Sequence, residues 1–429
     1  MVSIIIPAYN HAGYVAAALR SALAQSHPQI ELIVIDDGSA DQTAAEISRV
    51  LAGCRRDLRI EFIRQPNRGL AATLIRALAL AQGQFVQFLA SDDALFPDMT
   101  ARMVAAFAGA GPEVAAIACD GYVFDGAGRD HLPFSALHPW PVGRNLHREL
   151  QVSNWLPAMG LLYRRDILLG EGGIDPEQVY EDWALLLTLS RRFRILRIPD
   201  RLFLYRQHAS NISKDADTTA RAHQVLCARY PAMRAVRDWK QALRQGKLSG
   251  ALAGLTPGNL DLALRFGLRL LQRRLLLARE GRSWSAGRER DGKAGGRVRI
   301  GPGCVIGRGA VLEAGPGDLV LGAGCRIGPG ARLTAGAGLS LGAGCHIAAG
   351  AVLGGEGGGE IRLGRACLIA EGARIAPGTV LGDLTAVGPG LAVQGTYPAG
   401  TWILTQAAGI CRGPSAAAEP DCEAGVSAL

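Results

Sequence analysis

Glu31–Thr43 reads ELIVIDDGSADQT, and its reading decides the first half of the chain. The apolar run Leu32–Ile35 is that of a buried strand, Asp36-Asp37-Gly38-Ser39 is a turn, and Gln42–Leu51 carries helical spacing. The same grammar repeats on either side. Val2–Ile6 is followed by the helical pattern Tyr14–Ala24, Leu58–Ile63 by Leu70–Ala81, and Phe85–Leu89 is a fourth strand. Repeated strand–helix units pack as a mostly parallel, Rossmann-like α/β sheet with helices on its faces. Ligands bind such sheets beyond the carboxyl ends of the strands. The residues placed there are Pro7-Ala8-Tyr9-Asn10, Asp36-Asp37-Gly38-Ser39 and Ser91-Asp92-Asp93. Two acidic pairs at strand ends of one sheet repel unless a cation neutralises them. Mg2+ or Mn2+ joining carboxylates to a diphosphate meets that need, because both prefer oxygen ligands. Either pair alone reads equally well as turn formers and helix caps.

Further along, Val179-Tyr180-Glu181-Asp182-Trp183 opens the apolar helical stretch Ala184–Leu189. Two short strands, Arg194–Ile198 and Leu202–Leu204, lead into Tyr205–Ser213, YRQHASNIS. Alone, Glu181 and Asp182 suit a helix N-terminus and His208 an ordinary surface. Together, VSIIIPAYN, ELIVIDDGSADQT, PNRGLAA, QFLASDDALFPD, GGIDPEQVYEDW and IPDRLFLYRQHASNIS, in this order and spacing, resemble the family 2 glycosyltransferases of GT-A fold. The resemblance covers residues 1–213, within a first domain expected at 1–215. It implies an inverting, metal-dependent, hexosyltransferase-like enzyme using Mn2+ or Mg2+. Its donor would be a nucleotide sugar, UDP- or dTDP-linked, and its acceptor a glycan or lipid-linked molecule of envelope or exopolysaccharide assembly.

The resemblance also implies roles. Pro7, Tyr9 and Asn10 would line the nucleoside pocket. Asp37 would bond the base, with Asp36 and Ser39 supporting the turn, and Asn67 and Gly69 would lie near the ribose and diphosphate. Asp92 takes the last position of the metal-binding acidic motif, Asp93 lies beside it as a further metal candidate, and Ser91 joins the donor pocket. Asp182 matches the proposed catalytic base, next to Glu181. Arg206 and His208 resemble the segment that closes on the diphosphate, with His208 reaching the metal. Two positions depart from the family pattern: Ala90 stands where an aspartate is common, and Leu74-Ile75 where an Arg-Asn pair is. Acceptors are expected between Cys119 and Met159, where Trp140 and Trp155 are either sugar platforms or packed loop aromatics.

Of 429 residues, 48% are hydrophobic and 20% charged, which excludes a disordered or fibrous chain. The net charge of +8 is local: residues 260–299 hold eleven Arg or Lys against four Asp or Glu. That is not the spread basic face of a nucleic-acid binder, and no nucleic acid is expected as partner. Within 260–282, Arg265, Arg269 and Arg273 recur opposite Leu262, Phe266, Leu270 and Leu277. Such a helix makes peripheral contact with an anionic membrane, or docks its leucines on the first domain. Ala216–Gln245 reads as another helix and Ser283–Gly296 as a linker, making 216–296 a helical basic segment. The chain has no 18-residue apolar run, and Met1 leads straight into a strand, so the expected location is cytoplasmic or the inner face of the cell membrane. Nine cysteines without a CxxC pair point to reduced thiols rather than zinc.

Beyond Ile300 a different rule takes over. Ile300, Ile306 and Leu312 are six apart; so are Leu321, Ile327 and Leu333, and Leu341, Ile347 and Leu353. Leu363 begins a run of six-residue steps through Ile369, Ile375, Leu381, Val387 and Val393. Cys304, Cys325, Cys345 and Cys367 each follow the first aliphatic of a set by four residues and should stack as small buried side chains. The 56 glycines, about twice the ordinary share of ~7%, concentrate here. The pattern resembles the left-handed parallel β-helix of hexapeptide-repeat proteins, about five coils within 297–410, leaving Thr396–Ile403 as its exit and 411–429 as a disordered tail. That resemblance implies a homotrimer, and in some members a CoA-dependent acetyltransferase with a histidine base. His346, beside Arg326 and pointing outward, is the candidate for that alternative; a non-catalytic oligomeric scaffold is another.

Overall fold

The computed structural model describes every residue except 55–56, 126–131, 141–144, 172, 179, 209–210, 212–213, 245–260, 262–263, 266, 268–281, 285–287, 292–294, 356–357, 400, 404–409 and 413–429. Most of the expected basic helix 260–282 and all of the expected tail past 412 therefore lie outside the described residues, as do Val179 and Ser213.

Nine strands make the first sheet: β1 (Val2–Ala8), β2 (Ile30–Asp36), β3 (Ile60–Arg64), β4 (Phe85–Phe88), β5 (Ala94–Leu95), β6 (Val114–Asp125), β7 (Leu132–Pro133), β8 (Leu161–Arg164) and β9 (Arg194–Gln207). The order is β3-β2-β1-β4-β8-β6-β9-β5, with β7 on β6. The first four are parallel, and β8 then runs against both β4 and β6. This is the α/β GT-A-like sheet the sequence implied. With helices on both faces of the sheet, strand alternation buries every residue of β1 except the half-buried Pro7. Ile5 packs with Leu74, Leu78 and Leu186 on one face, while Ile4 and Ile6 pack with Val15, Leu19 and Ile47 on the other.

Two elements differ from the sequence reading. The two short strands expected around Pro199-Asp200 are one strand, β9. Its register against β6 steps from Ala118↔Arg197 to Asp120↔Arg201, so the proline sits in a bulge where its missing N–H breaks no ladder bond. The helix expected over 216–245 is two, Ala216–Arg229 and Pro231–Arg244, because Pro231 begins a new helix rather than continuing the old one.

The second architecture is a three-sided parallel β-helix. Its inward residues form continuous ladders on the expected schedule. One runs Ile306–Ile327–Ile347–Ile369–Val387–Ile403, another Leu312–Leu333–Leu353–Ile375–Val393. Each stacked thiol donates to a carbonyl of the next coil: Cys304 Sγ to Gly322 O (3.1 Å), Cys325 to Gly342 (3.2 Å), Cys345 to Gly364 (3.1 Å) and Cys367 to Gly382 (3.2 Å). Part of the expected linker is also structured. Arg282–Trp284 and Arg288–Asp291 pair antiparallel with the first coil, covering backbone edges that would otherwise be open.

One face of the β-helix docks on the first domain. Ala348, Leu368, Ala370, Ala386 and Trp402 share a core with Ala17, Phe96, Tyr122 and Leu204. Arg201 meets Glu371 at 2.6 Å on its edge. His346 pairs with Arg326 as expected and points outward, but into this interface: it is 6% exposed and lies edge-on to Tyr122 at 5.7 Å. An acetyltransferase base there would be enclosed by the first domain. Of the expected basic helix, Arg265 forms ion pairs with Glu149 and Asp261, and Arg148 holds Asp261 at 3.0 Å. This segment thus makes protein contacts where it is described. Among the described residues no helix is long and apolar enough to cross a membrane.

Ile369 is fully buried in the middle of a ladder. Ile369→Ala is expected to destabilise the protein by about 2–5 kcal/mol in chemical denaturation. A loss below ~0.5 kcal/mol would contradict the ladder as the core of the repeat domain.

Candidate active site

The loops after β1 and β2 are clasped together. Asn10 takes a left-handed backbone (φ +52°), which asparagine tolerates better than most residues. Its N–H donates to Ser39 Oγ (2.9 Å), and its Oδ1 accepts from Ala40 N–H (2.8 Å). His11 N–H donates to Thr43 Oγ1 (2.8 Å). Gly38 sits at φ +77°, where a Cβ would fall 2.6 Å from the Asn67 nitrogen, so only glycine lets the third loop approach.

Asp37 fixes that third loop. Its Oδ1 accepts from Gln65 Nε2 (2.7 Å) and Arg68 N–H (2.9 Å), and its Oδ2 from Gly69 N–H (2.9 Å). Both oxygens of the residue expected to bond the base are thus engaged in holding Asn67–Gly69. Asp36 accepts from Ser39 N–H (3.3 Å) and lies 3.6 Å from Arg64, the turn-supporting place expected of it. Pro7 is half-buried in β1, whereas Tyr9 is 48% exposed and open to a ligand. Leu74, at one divergent position, is core; Arg76 instead brings a charge to this network by donating to Gln65 Oε1 (2.7 Å).

The second group gathers at the end of β4. Asp92 Oδ2 lies 2.9 Å from His208 Nε2 and 3.4 Å from Asn211 Nδ2, and Ser91 Oγ lies 2.8 Å from His11 Nδ1. Ligand atoms of His11, Asp92 and His208 all lie within 4.8 Å of one another. Tyr14 stacks on His208 at 4.8 Å between ring centres, and His11 stands edge-on to both rings. Arg206, 4% exposed, donates its backbone N–H to Asp93 Oδ1 (2.7 Å) and its Nε–H to Asp92 O (2.9 Å). It lies under the loop rather than open to the cleft.

The charges follow from this packing. Burial opposes ionisation of Asp92, but the His208 hydrogen bond and the charges of His11 and His208 outweigh it and hold the carboxyl below its ordinary value. Asp93 is pushed well up by burial and by the neighbouring Asp92 charge. His11 is lowered, chiefly by burial, which favours its neutral imidazole. The donor set of two imidazoles and one carboxylate fits a divalent first-row ion such as Mn2+ better than Mg2+, which prefers an all-oxygen shell. Asp93, committed to Arg206, does not join that set.

The third group lies at a helix N-terminus. Asp182, in the first turn of the helix Glu181–Leu189, accepts from Asn154 Nδ2 (2.9 Å) and Trp183 N–H (2.7 Å). Its hydrogen bonds do not run to the other two groups. Burial raises the Asp182 carboxyl, with those two bonds opposing, and raises Glu181 to about 8, where the Asp182 charge adds to the effect. In the expected acceptor region, Trp155 is buried and packs edge-on against Trp140, and Arg197 covers Trp140 at 4.1 Å. These rings are engaged as packed aromatics.

Sequence reading missed His11, Tyr14, Asn154 and Asn211. His11 carried a signal, since it directly follows Asn10 in a strand-end loop, and Asn211 another, three residues after His208; Tyr14 and Asn154 reach the site only through folding.

Residues 3–168 match the model of Glycosyl transferase family 2, a span that ends before Asp182, Arg206 and His208. The chain is similar to an uncharacterized glycosyltransferase of Nostoc sp., 30% identical over 215 residues, covering 49% of this chain and 66% of that protein. It is 34% identical to the putative glycosyltransferase EpsH of Bacillus subtilis over 119 residues, covering 28% of this chain and 33% of the relative. The chain thus spans just under two thirds of the first and a third of the second. Among solved structures it is similar to residues 1–349 of S. aureus TarS in complex with UDP-GlcNAc, with a TM-score of 0.42 and 21% identity, covering 52% of this chain and 65% of that one. The parallel sheet and the clasped strand-end loops lie within residues 3–168, the span that is similar to the glycosyl transferase family 2 model.

Proposed function

We propose that this chain transfers a sugar, with inversion, from a nucleoside-diphosphate donor to a hydroxyl of a glycan or lipid-linked acceptor in envelope or exopolysaccharide assembly. The observation that carries this reading is the convergence of His11, Asp92 and His208 at the carboxyl end of β4, with Asp182 held separately on a helix N-terminus. The exposed Tyr9 and the ordered Asn67–Gly69 loop offer a surface for the nucleoside and its ribose. A divalent cation bound by His11, Asp92 and His208 would supply charge to stabilise the departing diphosphate.

The chain's own groups do the rest. Asn154 and the Trp183 N–H hold Asp182 in one orientation, so its carboxylate is presented to an acceptor hydroxyl with little rotational freedom. Its raised affinity for a proton makes it a stronger base than a solvated aspartate. As the new bond to the anomeric carbon forms, Asp182 takes the hydroxyl proton while the bond to the diphosphate breaks. One displacement of this kind inverts the centre.

Nucleoside diphosphate release from a panel of nucleotide sugars, with candidate glycan acceptors, tests the assignment. Asp182→Asn is expected to lower kcat by about 10²–10⁴-fold. Wild-type turnover by Asp182→Asn would remove it as the base. The pH dependence has a fixed sign. The base works deprotonated and its carboxyl is raised, so kcat/KM should climb with pH through a value above the ordinary ~3.9 of aspartate. An acid limb at or below that value would contradict a base whose carboxyl is raised. Finally, Mn2+ should support turnover better than Mg2+, and His208→Ala should abolish the difference; equal activity with both ions in the wild type would argue against the imidazole-containing site.

A further inference from the structure

Thr401–Ile403 is the last parallel strand on the docking face of the β-helix, and Ile410–Arg412 pairs antiparallel with its outer edge. Ile403 continues the buried ladder from Val387, so by strand alternation Trp402 points out of the coil. It is fully buried all the same, because the first domain covers it. Its ring lies 4.4 Å from the Arg206 guanidinium carbon, closer than the 5.1 Å between Arg206 and the Tyr14 ring. A buried guanidinium needs polar or π partners, and a tryptophan face is the strongest aromatic one.

From Arg206 the contacts lead directly to the candidate cation site. Its backbone holds Asp93, its Nε–H holds the Asp92 carbonyl, and its carbonyl accepts from Asn211 Nδ2 at 3.1 Å. Asn211 and His208 both reach Asp92 Oδ2, and His208 stacks on Tyr14.

We propose that the β-helix completes the first domain's active site, with Trp402 as a positioning residue that sets Arg206 and, through it, the arrangement of Asp92 and His208. The inference rests on reading His11, Asp92 and His208 as a divalent-cation site. It gives the repeat domain a role within its own chain: its last coil is part of the support of a site in another domain. The contacts Arg201–Glu371 and His346–Tyr122, made by earlier coils, hold the same face of the β-helix against the first domain.

Mn2+ binding to the full-length protein, read by electron paramagnetic resonance without donor, tests this directly. Trp402→Ala is expected to weaken Mn2+ binding by about 10-fold or more, the scale for residues that support metal ligands without touching the metal. Trp402→Phe keeps an aromatic face and should recover part of that loss. Ile375→Ala removes packing from the β-helix core on another side and should bind Mn2+ like the wild type. If Trp402→Ala does not fold, Trp402→Phe alone decides: affinity weaker than wild type supports the proposal, and unchanged affinity overturns it. Wild-type affinity in Trp402→Ala overturns the positioning role while leaving the cation site intact. Equal weakening by Ile375→Ala overturns it too, since loss of stability would then suffice. Absence of Mn2+ binding by the wild type itself overturns the cation site and this inference with it.

Discussion

Asp92 is the constraint around which the first domain is arranged. A carboxylate 8% exposed is stable as an anion only if partners replace the water it has lost. His208 and Asn211 do so from the end of β9 and the nearby His11 from the β1 loop, and Arg206 ties down the backbone of the same residue. The β1 loop, the end of β4 and the end of β9 must therefore meet at one point. The order of the sheet, with β1 beside β4 and β9 beside β5, makes that meeting possible.

Two carboxylates in adjacent positions have been given opposite surroundings. Asp92 faces imidazoles and is held ionised, whereas Asp93 faces the protein interior and is pushed toward its protonated form. A like contrast separates Asp92 from Asp182, whose site raises its proton affinity. Pairs of acids driven apart by their environments are how one site holds both a charge-binding group and a base.

Much of this was legible because it is periodic or local. The strand–turn–helix units of residues 2–89 and the six-residue ladder from Ile300 to Val393 are fixed by which side chains must be buried, and a single sequence displays that. Asn10 and Ser39 were each visible at a strand end, but the clasp between them joins residues 29 apart and comes from the parallel pairing of β1 and β2. What the sequence does not display is who shares a pocket. The resemblance already set His208 and Asp92 at one metal, but Tyr14 stacking on His208, or Asn154 steering Asp182, depends on elements brought together only by the fold. The contact of Trp402 with Arg206 is the extreme case, because it depends on how two unlike domains dock. The split at Pro231 and the bulge at Pro199 were missed for a simpler reason: proline can either end an element or be absorbed by it, and the partner strand decides.

The account stands or falls on where a divalent ion binds. Crystals of the full chain grown with Mn2+ and UDP, measured at the manganese absorption edge, would place the ion by its anomalous signal. The account predicts one strong peak within bonding distance of His11, Asp92 and His208. A peak held by other residues, or none at that trio with UDP bound, would contradict it.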